Sequence, residues 1–447
     1  MKKPILLAMM LFIANIAFAG RGAYLIIENN TPNALHIEKN DWQCLTDTTL
    51  SHTIPSASAT KYYLEAINDI SCWYRASQGR LKIFDKNHQE IAITKFSLSN
   101  TTTKHILEST TSDDYKIKAA AYNTIDRASG QDLIFVQINP NANKLDPNSN
   151  DYQNWMRNLG EKIAYKKLSQ VVLPGTHDSF TFDLNGAVTC QADPDASAAA
   201  KIPYFGKKFA QAQDQNFITQ LNRGIRYFDV RLCHQHGKDY TTHSLISNNT
   251  FQKELSGLAN FLNQHPKEIV ILDFNHMYGY DKAALSKLLN YIESYYSQYL
   301  LSYQNYNPQS LINNIWQSKR NLIIVMPDTQ KDIAKKINPA ISAYLWPEST
   351  LSSPWPNTTN IDTDLAKNTE SLHNRDQNQL FVSQLQLTPN GNYILHNPSY
   401  NLYFNAYRYA PETHSWININ TRKGLNIFIT DFSSGYDSTL LAIKANQ

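Results

Sequence analysis

Charge of either sign is scarce in this chain of 447 residues: 18% of positions are charged, and 41 Lys and Arg face 38 Asp and Glu. A balance of +3 over that length gives no basic footprint, which argues against electrostatic binding of nucleic acid. A neutral ligand or a membrane patch suits such a surface better. Glycine is limited to 15 residues and hydrophobic residues make up 42%, so collagenous, disordered and low-complexity chains are excluded. Cysteine is limited to Cys44, Cys72, Cys190 and Cys233, with no C-x-x-C pair beside a histidine, which speaks against a zinc site. Past the N terminus no segment reads as a membrane span, and no internal repeat occurs.

What is present begins with MKKPILLAMMLFIANIAFAGRG. Two lysines precede an apolar run from Pro4 to Ala14, and Ala17-Phe18-Ala19 follows, which reads as a secretory signal over residues 1–19, cleaved after Ala19. A membrane anchor is the competing reading, but Asn15 interrupts the run short of the roughly 20 apolar residues a span needs. Export, to the outside or to a periplasm, puts the cysteines where disulfides persist. Of the three possible pairings, sequence order favours Cys44 with Cys72 and Cys190 with Cys233; buried free thiols are the alternative.

Residues 20–138 are β-rich. The runs 23–28, 34–38, 61–66, 80–84 and 133–138 carry β-branched and aromatic residues and are separated by Pro, Asn, Asp and Ser, which predicts a small antiparallel sandwich. Residues 139–150 have the composition of a linker. From 151 to 447 apolar strands at 170–175, 225–233, 268–274, 321–327, 379–385 and 426–432 alternate with helical stretches. In 281–301, Leu285, Leu288, Leu289, Ile292, Tyr296 and Tyr299 form a stripe at helical spacing, the mark of core packing. The expected fold class is α/β: a distorted TIM-type β/α barrel preceded by a small all-β sandwich-like domain.

In such a barrel, chemistry belongs where strands end. There the chain offers Thr176-His177-Asp178-Ser179, then Asp229 and Arg231, then His243 at the end of a short third segment, then Asn275-His276, and finally Asp431. One strand-end His or Asp alone would be read as a helix cap or a loop anchor. Two histidines, an arginine and several carboxylates at successive strand ends point instead to acid-base work on a phosphate: imidazoles titrate near neutral pH, a guanidinium grips phosphoryl oxygens, and carboxylates orient imidazoles.

The segments LPGTHDSFTFDL, QLNRGIRYFDVRLC, YTTHSLI and HPKEIVILDFNHMYG resemble the X-box catalytic domain of phosphatidylinositol-specific phospholipases C, in that family's order, from about Ser169 to the C terminus. DFNH at 273–276 with LTP at 387–389 looks most like the X-domain-containing subgroup. The resemblance implies His177 as general base, His243 as general acid, Arg231 as the cation on phosphorus, Asp178 and Asp229 as carboxylates beside the second histidine and the arginine, and Asp431 as the partner of His177. Metal-dependent relatives carry an acid where this chain has Arg231 and an asparagine where it has Asp178, so the likeness is to the metal-independent bacterial type, with no metal and no cofactor.

Two departures concern the head group. Asn275 stands where bacterial members keep a lysine, and Gln384 and Gln386 end the strand expected to carry an inositol-contacting aspartate; these amides are read as substrate-binding. His276 is read as a supporting residue, His234 and His236 as exposed loop residues. Aromatic clusters at 344–347, 352–357 and 400–410, Trp355 included, are read as core packing or as a lipid-facing rim. The resemblance implies a secreted phosphodiesterase that cleaves phosphatidylinositol-type lipids through a cyclic inositol phosphate and releases diacylglycerol. Its partner is a phospholipid surface and not nucleic acid, and it acts as a monomer. The alternatives are a phospholipase D-like or glycerophosphodiester phosphodiesterase, and a binding protein or toxin subunit using the barrel as a scaffold.

Overall fold

A computed structural model describes residues 22–47, 50–67, 72, 77–98, 103–110, 114–122, 132–140, 152–194, 203–397, 400–435 and 438–447. The region read as a signal lies outside them, as does most of that read as a linker, although the strand Asp132–Pro140 runs into the latter. The chain divides into two compact units, Met1–Asn141 and Ala142–Gln447. Among the described residues no helix is long and apolar enough to cross a membrane.

The first unit holds two five-stranded sheets. One runs Leu45–Asp47, Ser58–Ala66, Gly22–Asn29, Asp132–Pro140, Tyr115–Tyr122, and the other Thr53–Ile54, Leu35–Gln43, Ser77–Phe84, Glu90–Leu98, Thr103–Thr110. Alternation dictates which face each strand buries: Leu25 and Ile27, with Ile134 and Val136, share one core with Ile37, Leu81 and Ile83 of the other sheet. The pairing is not wholly antiparallel as the sequence led one to expect, because Gly22–Asn29 and Asp132–Pro140 run parallel. Strands so far apart in sequence need no tight turn between them, so nothing local forces the antiparallel sense. A disulfide joins Cys44 to Cys72.

The second unit is built on a mixed sheet whose main body is eight parallel strands, in the order Trp346–Pro347, Leu322–Met326, Val270–Tyr278, Tyr227–Gln235, Leu173–Thr176, Ile427–Thr430, Leu380–Gln384, Leu351–Ser352. Alternating residues separate two cores. Leu173, Tyr227, Ile271, Ile323, Val325, Val382, Ile427 and Ile429 gather on one face with Trp155 and Met156 of the helix Trp155–Leu159, while Phe228, Val230, Leu272, Phe274 and Ile324 pack on the other against helical residues such as Leu285, Leu288 and Ile292. The helical stripe read at 281–301 is realised in Lys282–Tyr296, which Asp281 caps by accepting from the Ala284 amide at 2.8 Å; Tyr299 lies beyond the helix end.

The expected closed barrel is not completed by hydrogen bonds. The two edge strands, each two residues long, are joined through the 3-10 turn Glu348–Thr350 and do not pair with one another. Pro347 at that edge has no N–H to donate to a ladder. Of the aromatic clusters, Trp346 is wholly buried in an edge strand and Tyr400, Phe404 and Tyr407 are buried about the helix Leu402–Arg408, in keeping with core packing, whereas Trp355 is 57% exposed.

His243 does not end a barrel strand. It closes Lys238–His243, which pairs antiparallel with the far half of Tyr227–Gln235. The two-residue turn has positive φ at both His236 and Gly237, the form whose twist suits a hairpin. His234, read as an exposed loop residue, lies in the strand, its Nδ1 hydrogen-bonded to Asp239 Oδ1 at 2.7 Å. The second disulfide, Cys190 to Cys233, ties this hairpin to the segment after the strand Leu184–Thr189.

Candidate active site

The strand Leu173–Thr176 lies between Tyr227–Gln235 and Ile427–Thr430, so residues just past its end meet groups from both neighbours. Gly175 permits that closeness: a Cβ there would come within 2.9 Å of side-chain atoms of Ile429 and Tyr227. His177 follows and is nearly buried. Its Nδ1 is 2.7 Å from Asp431 Oδ1, and its Nε2 is 3.3 Å from Asp178 Oδ2 and 3.3 Å from Arg231 Nη2. Asp178 sits at φ 42, a conformation that Asp and Asn tolerate better than most residues, and its amide donates to Asp229 Oδ2 at 3.0 Å.

Asp178 is the hub. Its Oδ1 lies 2.7 Å from Arg231 Nε and its Oδ2 lies 3.1 Å from His243 Nδ1, so one carboxylate touches both histidines and the guanidinium. The Nδ1 of His243 is also 2.9 Å from the Ala210 carbonyl, which identifies Nδ1–H as the donor. The two imidazole centroids are 6.2 Å apart. Asp229 stands off from Arg231, at 4.0 Å, and holds the Asp178 amide and the Asn275 side chain, which donates to it at 3.1 Å. A register shift between the strands carrying Asp229 and Asp273 sets Arg231 opposite His276 and brings Asn275 to that bond.

Charges set the proton affinities. Burial alone would lower the pKa of His177, but Asp178 and Asp431 outweigh it and raise it to about 9. Burial would raise the pKa of Asp178, yet Arg231, His177 and His243 bring it to about 2. Burial and the Arg231 charge lower the pKa of His276. Behind the site, Asp273 accepts from the Tyr227 hydroxyl at 2.6 Å; burial raises its pKa to about 7, against that bond and with the help of Asp229.

Of the residues named from sequence, the structure brings His177, Asp178, Asp229, Arg231, His243, Asn275 and Asp431 into one contact network. Gln384 and Gln386 are not joined to it by hydrogen bonds: Gln386 donates to Gln384 at 2.8 Å, and Gln384 donates to the Ser353 carbonyl and hydroxyl, both at 3.0 Å. Gln386 instead lines a small cavity that Asp431 also borders. Sequence reading missed the fully buried Gln213, whose amide donates to the carbonyls of His177 and Thr430, both at 2.9 Å, and accepts from the Ser433 amide at 3.1 Å. It missed Tyr227–Asp273 too, although the alternation 227, 229, 231 against 271, 273 places them on the site's own face.

Ligand atoms of His177, Asp178 and Asp229 all lie within 4.8 Å of one another, which is close enough to gather a divalent ion. Arg231, with Nε 2.7 Å from Asp178 Oδ1 and Nη2 3.3 Å from His177 Nε2, already supplies positive charge there.

No family model matches the chain. Curated relatives do: PI-PLC X domain-containing protein 3 of Bos taurus is 26% identical over 320 residues, 68% of this chain and 97% of that protein. PI-PLC X domain-containing protein 2 of Homo sapiens is 29% identical over 245 residues, 53% of this chain and 77% of that one. Among solved structures, the phosphatidylinositol-specific phospholipase C from Listeria monocytogenes is 16% identical with a TM-score of 0.49, covering 66% of this chain and 99% of that one. The resemblance to the phosphatidylinositol-specific phospholipase C X-domain family is thus carried by relatives along two thirds of the chain.

Proposed function

We propose that this protein is an exported phosphodiesterase that cleaves phosphatidylinositol-type lipids at a membrane surface, without a metal. The observation that carries the reading is one carboxylate, Asp178, in contact with two histidines and an arginine, with a second carboxylate, Asp431, behind the first histidine. His177 takes the proton of the inositol 2-hydroxyl through Nε2, its Nδ1–H held by Asp431. The freed oxygen attacks phosphorus, Arg231 holds the non-bridging oxygens, and the bond to the glyceride oxygen breaks as the Nε2–H of His243 protonates it. The products are an inositol cyclic phosphate and diacylglycerol. Asp178 holds Arg231 and His243 in place. The two disulfides support an oxidising destination.

Product identification by ³¹P NMR on phosphatidylinositol vesicles tests this. A cyclic phosphate signal that disappears in His177→Ala is the expected result, and its persistence in both His177→Ala and His243→Ala would overturn it. The His177, Asp178 and Asp229 grouping favours a second reading, a metal-using diesterase. Loss of turnover in EDTA, restored by a divalent ion, would select it.

A further inference from the structure

The segment after the strand Leu184–Thr189 bears on His243 through the backbone. Lys238–His243 and the next strand, Leu245–Thr250, are joined by Ser244 alone, with His243 paired to Leu245 across it. Ser244 sits at φ 60, in the left-handed region where a residue with a Cβ is uncommon and stays only if its surroundings hold it. Both of its backbone groups are held. Its amide donates to Asp193 Oδ2 at 3.1 Å, and its carbonyl accepts from the Cys190 amide at 2.9 Å. The Asp193 amide donates in turn to the Cys190 carbonyl at 3.2 Å, which closes the segment on itself. On the far side of the reversal Leu245 is buried with Leu184 and Ala210, and Ala210 supplies the carbonyl that His243 Nδ1–H reaches.

The segment is anchored covalently. The Cys190–Cys233 bridge, with both residues wholly buried, ties it to the strand two positions past Arg231. Gln235 of that strand adds two bonds, accepting from the Gln191 amide at 2.8 Å and donating to the Thr189 carbonyl at 3.3 Å. Asp193 is only 8% exposed, so water competes little for its bond to the Ser244 amide. Resting on the acid-base reading above, we infer that Asp193 is a positioning residue for the general acid: anchored through Cys190, it holds the reversal at Ser244 that sets His243 against Asp178 and the Ala210 carbonyl.

The test compares two substrates of the full chain, phosphatidylinositol vesicles and the nitrophenyl ester of inositol phosphate. In the first, the bond from phosphorus to the glyceride oxygen breaks as that oxygen is protonated; in the second, a phenolate leaves with the bonding pair and needs no proton. Asp193→Ala should lower kcat on the lipid by about tenfold to a hundredfold with KM unchanged, and by less than about threefold on the ester. Asp193→Asn keeps an oxygen for the Ser244 amide and should recover most of that loss. Amide hydrogens of the peptide spanning 241–247 should exchange faster in Asp193→Ala than in wild type or Asp193→Asn, a readout independent of turnover. Equal losses on the two substrates, a lipid kcat within about twofold of wild type in Asp193→Ala, no recovery in Asp193→Asn, or unaltered exchange would overturn the inference. A wild-type protein inert on both substrates would instead overturn the acid-base reading itself, whatever the exchange shows.

Discussion

The two histidine groups of this molecule contrast in what surrounds them. His177 is nearly buried among Asp178, Asp431 and Arg231, so its proton affinity is set by fixed charges that cannot move away. His36, His52 and His88 lie on an outer face with one carboxylate, Glu38, and rings stacked on each other or on Phe84. The same side chain is held by fixed counter-charges in one setting and lies among rings beside a single carboxylate in the other. Burial with counter-charges, more than the number of histidines, decides between them.

Removing a member of the buried group should have the largest effect. His177→Ala or His243→Ala is expected to lower phosphatidylinositol turnover by about 10³-fold, measured as diacylglycerol release. Arg231→Lys keeps the charge but not the planar fork and should cost about 10²-fold in kcat; turnover within twofold of wild type would deny it the phosphorus contact. Asp178→Asn probes the charge balance itself. A base must be free of its proton, and His177 holds its proton up to about 9 because two carboxylates outweigh burial. Removing one of those charges should therefore move the acid limb of kcat/KM to lower pH, and an unmoved limb would show that His177 is not the titrating base. The raised affinity also stabilises the fold, fully below about pH 6.5, the ordinary imidazole value, and fades as pH climbs through about 9. Cys190→Ser/Cys233→Ser frees a 43-residue loop and should lower unfolding stability by about 2–4 kcal/mol in a denaturant titration. Smallest of all, EDTA should leave turnover unchanged, measured as diacylglycerol release.

Much of the site was legible because its residues follow apolar runs: Thr176-His177-Asp178 after LPG, Asp229 and Arg231 within IRYFDVR, and Asp431 after NIFIT. The pairing of Cys190 with Cys233 followed from order alone. Gln213 was not legible, since it braces the site through the carbonyls of His177 and Thr430, and a carbonyl has no residue identity to read. The same holds for Ala210, which anchors His243 by its backbone. The hairpin nature of Lys238–His243 was hidden because HisGly turns carry a weaker signal than AsnGly or AspGly. The parallel contact of Gly22–Asn29 with Asp132–Pro140 depends on partners about a hundred residues apart, beyond any local pattern.

The contact between His177 and Asp431 spans 254 positions of sequence, whereas Arg231 and His243 share one hairpin. In folding terms Arg231 and His243 are placed by local structure, formed quickly and at little entropic cost, while the His177–Asp431 contact exists only once the first and last parallel strands of the unit have met. A chain still emerging from synthesis, or clipped before Asp431, would carry Arg231 and His243 without the carboxylate that holds His177. On the proposed chemistry, catalytic competence therefore reports completion of the whole unit.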